Sequence, residues 1–383
     1  MALNSRYDHF QIVRGVACLM VFMNHVVGLL SRPLDLSGAW YGPLIVPMGF
    51  PWVWLFLILS GYLLTKQFAQ GRIQLNAAGI VKFYRRRFRR LIPMLWFAPV
   101  LFGSLYYLGI WSPDLPPFLA FRELSTALVF PWALYSPTDN PIATVNSPVW
   151  SAVLEVHYFL LLPFILWAAR MSPRLIMTAV AVWLLAICFL AYSVVSNGTP
   201  AIFPMIYQQH FYNCGFMLAG CALALVGKPG RSIHIAWAIA ALAACIVANQ
   251  YLVAKDLNLA LAIMPLVMLP AMIFLVSCCD SEYQLSIPAD RSDLKLMQGP
   301  IRWVELAGMM SYSIYLLHKP LSYIVINYLG IERSMDGLPK LALGTFETAL
   351  VILPVIIVSF VFVEARFRRA GKSEILAPAS VQG

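Results

Sequence analysis

Charge is what this 383-residue chain has least of: 11% of its residues are charged, with only 17 acids set against 27 Lys and Arg. Together with 61% hydrophobic residues and a mean hydropathy of +0.76, that scarcity excludes an ordinary soluble protein and points to a polytopic membrane protein. A soluble domain is missing as well. The longest segments without a spanning pattern, 111–147, 280–300 and the tail after Arg369, are each too short to bury a core of their own. The expected organisation is therefore one all-α polytopic membrane domain over 1–372, then a short cytosolic tail over 373–383. The seven cysteines, Cys18, Cys188, Cys214, Cys221, Cys245, Cys278 and Cys279, show no CxxC or Cys/His spacing and all fall in apolar runs. They read as small packing residues, and neither a disulfide framework nor a metal site is implied. No small-residue cleavage site follows the first apolar run, which also carries polar residues, so it reads as a retained span.

Ten apolar runs remain, each near the roughly 20 residues needed to cross about 30 Å of hydrocarbon. They are 12–30, 50–68, 91–110, 148–169, 175–195, 211–227, 232–254, 258–279, 303–329 and 346–364. Nineteen Lys and Arg, including Arg72 and the cluster from Lys82 to Arg90, lie on one side of these spans. Only Arg32, Arg122, Lys255, Arg333 and Lys340 lie on the other. The positive-inside rule then places both termini in the cytosol, and the net charge of +10 needs no nucleic-acid partner to explain it. Trp40, Tyr41, Trp52 and Trp54 around the second span, with Trp132, Tyr135 and Trp150 around the fourth, read as interfacial belts. The short apolar stretch 118–132 reads as a surface loop or a helix over an outward cavity.

Ionisable side chains inside the spans are the functional candidates, because hydrocarbon tolerates them only beside a partner or a water-filled cavity. Arg14 and His25 share the first span; eleven residues at 100° each put both on one helix face, roughly 16 Å apart along the axis. Arg14 is either a snorkelling anchor or a ligand-binding cation, and His25 either an interhelical hydrogen-bonding residue or a base. In the run VKFYRRRFRRLIP over 81–93, five arginines precede the third span. They mark the cytosolic boundary or form a phosphate site, since guanidinium groups bind phosphate bidentately. Glu155 lies roughly 8 Å below the outer boundary, at the depth of His25, so the two could form an imidazole–carboxylate pair or each serve only helix packing. His157 faces away from Glu155. His318 lies within the ninth span, two residues before Pro320, which is expected to bend the helix.

These residues recur in a recognisable order. Arg14 and His25 with ten residues between them, FLILSGYLL at 56–64, Arg87-x-x-Arg90-x-x-Pro93, VWSAVLE followed by HYFLLLP, SYSIYLLHKPL at 311–321 and FVEARFRR at 362–369 together resemble the membrane acyltransferase 3 family over nearly the whole chain. The resemblance implies transfer of an acyl group, commonly acetyl, from cytosolic acyl-CoA to sugars of surface polysaccharides, lipopolysaccharide O-antigens, peptidoglycan or nodulation factors. It implies essential roles for Arg14 and His25, a cytosolic pair in Arg87 and Arg90, and a carboxylate role for Glu155. Where relatives often carry a second Glu and then Gln, this chain has Val156 and His157. Some relatives also carry an extracytoplasmic esterase-like domain, which the short tail over 373–383 is not.

Under that resemblance, acyl-CoA phosphates on Arg14, Arg87 and Arg90 would let the pantetheine arm reach toward His25, which would deprotonate a sugar hydroxyl with the help of Glu155. The expected partners are acyl-CoA, an extracytoplasmic or lipid-linked glycan and membrane lipid; no metal is expected, and the expected location is the bacterial inner membrane. Ser60, Gly61, Tyr158, Tyr312 and His318 are candidate pocket residues. A secondary transporter of a sugar or acyl intermediate is the alternative, but the paired, interrupted half-repeats common in such folds are absent. A silent scaffold for polysaccharide export is a further class, one that would need neither the arginine cluster nor an intramembrane His.

Overall fold

Without water, an apolar segment must satisfy its backbone internally, and every described element of this chain is helical, with no strand among the described residues. The computed structural model describes residues 8–30, 48–110, 149–197, 210–226, 235–255, 257–280, 299–328 and 338–367. The helices are α1 (His9–Leu30), α2 (Phe50–Ala69), α3 (Ala77–Tyr107), α4 (Val149–Ala168), α5 (Pro173–Asn197), α6 (His210–Val226), α7 (Ile235–Lys255), α8 (Leu257–Asp280), α9 (Gly299–Met309), α10 (Ser311–Tyr328) and α11 (Leu338–Ser359). The last runs directly into a π-helical turn, Phe360–Ala365.

Among the described residues six stretches are long and apolar enough to cross a membrane: His9–Leu30, Phe50–Ala69, Ala77–Tyr107, Val149–Ala168, Pro173–Leu190 and Leu341–Ala365. The chain is a multi-pass, all-helical membrane protein. Of the ten runs read from the sequence, these account for six, and three more coincide with the shorter apolar helices His210–Val226, Trp237–Leu252 and Ile263–Cys279. The tenth, 303–329, is not one helix: it is interrupted at Met310 into α9 and α10. The third begins fourteen residues earlier than hydropathy indicates, because Asn76 caps α3 by accepting from the Gly79 N–H at 2.9 Å. The arginine cluster therefore stands on a helix continuous with the span. The segment 111–147, with its apolar stretch 118–132, and the aromatics Trp40, Tyr41, Trp132 and Tyr135 lie outside the described residues, as does the tail 373–383.

The helices group into two units, one built from 1–72 and 164–311, the other from 73–163 and 312–383. In the first, α2 packs along α6 and α1 along α9, while α7 packs on α8 and α5 on α6. Between membrane helices there is no hydrophobic driving force, so association depends on close backbone approach through small residues. A Cβ on Gly61 would stand 2.2 Å from the Met217 carbonyl oxygen, and one on Gly220 would stand 2.1 Å from that of Ile58. The α1–α9 crossing uses the same device, with a Cβ on Gly15 or Gly308 landing 1.9 Å from the carbonyl oxygens of Val304 and Gln11 respectively. Trp54 is 1% exposed, stacks on Phe216 at 4.5 Å and donates its indole N–H to Asn213 Oδ1 at 2.9 Å. Trp52 and Trp150 are buried too, so these three tryptophans belong to the core and not to an interfacial belt. In the second unit, α3 meets α4 through the rings of Phe83, Phe88 and Phe159 and through Tyr84 Oη donating to the Leu160 carbonyl at 2.7 Å. The π turn packs against α3. The outward faces of both units are apolar, with Phe164, Trp167, Leu185, Phe189 and Phe362 exposed, as a lipid solvent requires.

Candidate active site

α1 is held at its N-terminus before it presents any functional group. Asp8 caps it through Oδ1, accepting from the N–H groups of Phe10 at 3.0 Å and Gln11 at 3.2 Å. The N–H of Asp8 donates to Glu305 Oε1 at 3.2 Å, and that buried carboxylate pairs with Arg302 on α9. One turn further, Arg14 is 6% exposed. It is enclosed by protein, which favours an internal cation over a solvated snorkelling anchor. His25, eleven residues on along the same uninterrupted helix, is half-buried. Ser60 and Gly61 lie on α2 in the same unit; Ser60 is buried, and Gly61 sits in the α2–α6 backbone crossing described above.

The other candidates belong to the second unit. Arg87 and Arg90 are one turn apart on α3 and so share a face. Arg87 is buried and Arg90 half-buried, whereas Lys82 and Arg85 are exposed. The Nε of Arg90 is shielded from solvent and makes no hydrogen bond to any described residue. Cations placed this way differ from a solvated boundary cluster: of the five arginines Arg87 is buried, Arg86, Arg89 and Arg90 are half-buried, and Arg85 alone is exposed.

Glu155 on α4 is half-buried and Tyr158, one turn on, is buried. The carboxylates of Glu155 and Glu364 and the guanidinium of Arg90 all act electrostatically on the Tyr312 hydroxyl, which donates to the Leu91 carbonyl at 3.1 Å. His318 is 1% exposed, and its Nδ1 lies 2.9 Å from the carbonyl oxygens of both Ile314 and Tyr315. Two carbonyl acceptors on one side require Nδ1 to carry a proton. Tyr315 and Ser151 share a 2.5 Å hydroxyl–hydroxyl hydrogen bond between α10 and α4.

Several of these residues escape sequence reasoning. Glu364, Ser313, Glu305 and the Ser151–Tyr315 pair carry no periodic signal of their own. Glu364 stands at the edge of the apolar run, where an acid reads as a boundary residue. Among the described residues no group of three or more His, Cys, Asp or Glu is placed to hold a metal ion.

A family model for an acyltransferase domain matches residues 8–364, a range that contains Arg14, His25, Arg87, Arg90, Glu155, His318 and Glu364. The chain belongs to the acyltransferase 3 family. Among its relatives is a peptidoglycan O-acetyltransferase, OatA, of Listeria monocytogenes, 24% identical over 365 residues, which cover 84% of this chain and 52% of that protein. An O-acetyltransferase OatA of Staphylococcus aureus is 24% identical over 190 residues, 47% of this chain and 30% of the relative. This acyltransferase 3 chain thus spans about half the length, or less, of the curated relatives it matches. No solved structure matches it.

Proposed function

We propose that this protein is a membrane-bound O-acetyltransferase of the bacterial inner membrane that moves an acetyl group from cytosolic acetyl-CoA to a hydroxyl of a cell-surface or lipid-linked polysaccharide sugar. The observation that carries the reading is that Arg14 and His25 stand on one uninterrupted helix inside the region that matches the family, the arginine enclosed by protein. An enclosed cation and an imidazole roughly 16 Å apart suit a long, anionic donor whose reactive end lies far from its phosphates.

In this mechanism His25 is the general base. A sugar hydroxyl is a weak nucleophile until its proton is removed as it attacks the thioester carbon; the C–S bond then breaks and CoA leaves as the thiol. His25 takes the hydroxyl proton and returns it to the departing sulfur, so the base is regenerated at each turnover. Glu155 is proposed as a second catalytic residue. Arg87 and Arg90 hold phosphate, and the burial of Arg87 and half-burial of Arg90 on α3 support that assignment, because guanidinium groups in a low-dielectric setting bind phosphate more strongly than solvated ones. Because the Listeria relative is a peptidoglycan O-acetyltransferase, peptidoglycan glycan is the first acceptor to try.

The test is CoA release from acetyl-CoA by the purified protein in lipid nanodiscs, with peptidoglycan fragments or lipid-linked oligosaccharides as acceptor. Acceptor-dependent CoA release with an acetylated glycan as product is expected. Transport of an intact sugar or acyl carrier with no CoA release would make the protein a transporter.

A further inference from the structure

The acid of FVEARFRR has no part in the proposed transfer, yet it is among the most deeply buried ionisable groups described. Glu364 is 2% exposed and sits in the π-helical turn that ends α11. A π turn inserts one residue into the helical repeat and so rotates the side chains beyond it relative to an α-helix. Here Val361 and Phe362 face outward, 48% and 66% exposed, while Glu364 faces in.

Its partners explain the burial. Glu364 Oε2 accepts from the Ser313 backbone N–H at 3.2 Å and from the Ser313 hydroxyl at 2.6 Å. Ser313 is the third residue of α10, whose first N–H groups have no acceptor within the helix because the chain breaks at Met310. In an apolar setting such orphan donors are costly, and a carboxylate at a helix N-terminus satisfies them and complements the helix dipole. Glu364 is therefore the cap of α10, supplied from 51 residues away.

The residue before Ser313 links this cap to the arginines. Tyr312 Oη donates to the carbonyl of Leu91, immediately after Arg90, and the π turn itself packs against α3. On that stretch α3 is short of a ladder bond, since Pro93 has no N–H to offer the Arg89 carbonyl. A cross-helix bond at Leu91 restrains a turn that the helix alone holds less firmly.

We propose that Glu364 is a positioning residue for donor binding: it caps α10 and, through Ser313 and Tyr312, holds the turn of α3 that carries Arg87 and Arg90. The inference rests on the reading of those two arginines as the phosphate-binding pair. It assigns to Glu364 no contact with the donor and no proton transfer.

The experiment measures KM for acetyl-CoA and kcat for acceptor-dependent CoA release, with the thermal midpoint as a folding control, in the full-length protein in nanodiscs. Glu364→Gln, Ser313→Ala and Tyr312→Phe are expected to raise KM three- to tenfold with kcat within twofold. The double variant Glu364→Gln/Tyr312→Phe is expected to be no worse than the weaker-binding single one, because both changes cut one path. Arg87→Ala and Arg90→Ala are the reference, with KM raised tenfold or more. If the reference variants raise KM while Ser313→Ala and Tyr312→Phe leave it unchanged, the positioning role is refuted and the donor site stands. A fall in kcat at constant KM refutes it equally. If Arg87→Ala and Arg90→Ala leave KM unchanged, the donor reading falls and the inference falls with it.

Discussion

At the scale of the residue, three side chains divide the proposed chemistry. His25→Gln removes the ability to accept a proton while keeping a side chain that can bond across helices. It is expected to lower acyl transfer about 10²- to 10⁴-fold, the usual worth of a general base, with acetyl-CoA binding unchanged. Product formed per mole of correctly inserted protein at saturating acetyl-CoA decides this. Near wild-type turnover would leave His25 as a packing residue. Glu155→Gln is expected to cost less, about tenfold, as befits a group that supports the transfer without receiving the sugar proton. Arg14 makes the complementary point: nothing in its neighbours along the chain separates a snorkelling anchor from an enclosed cation, and its burial comes from the helices packed around it.

At the scale of the element, the device that assembles these helices is the bare glycine. Gly61→Leu is expected to force α2 and α6 apart, since even its Cβ would meet the Met217 carbonyl at 2.2 Å. Overpacking of this kind costs typically about 1–3 kcal/mol, and a clash with backbone lies at or beyond the upper end of that range. Gly28→Ala, where a Cβ would meet nothing within 4 Å, is the control and should leave the thermal midpoint within about a degree or two. Thermal unfolding in detergent, read by loss of the monodisperse peak, compares the two directly; equal midpoints would mean the α2–α6 crossing yields easily. The same scale explains the interrupted span. Hydropathy runs smoothly through 303–329, but the chain breaks at Met310, where a distant acid satisfies the new helix start.

At the scale of the whole molecule, the charge asymmetry predicts topology: reporters inserted after Gly71 and fused at Gly383 should be cytosolic, and one near Asp139 extracytoplasmic. Protease protection in oriented vesicles would check all three, and a periplasmic signal after Gly71 would reverse the assignment of the arginine-bearing end of α3 to the cytosol. The membrane class, the helical architecture, most of the spans and the family were readable from the chain alone, because composition, apolar run length and short ordered motifs are local properties of a sequence. Arg14, His25 and Glu155 could be picked out as candidates for the same reason, as ionisable groups where hydrocarbon penalises them, and Arg87 and Arg90 as members of a basic cluster just before a span. Tertiary structure alone decided that Trp54 is core and not belt, that Arg87 is buried while Arg85 is exposed, and that Glu364 caps a helix 51 residues away. Those outcomes depend on which helix lies beside which. In a membrane that choice is made by close backbone contact and by buried polar groups finding partners, neither of which leaves a periodic trace along the chain.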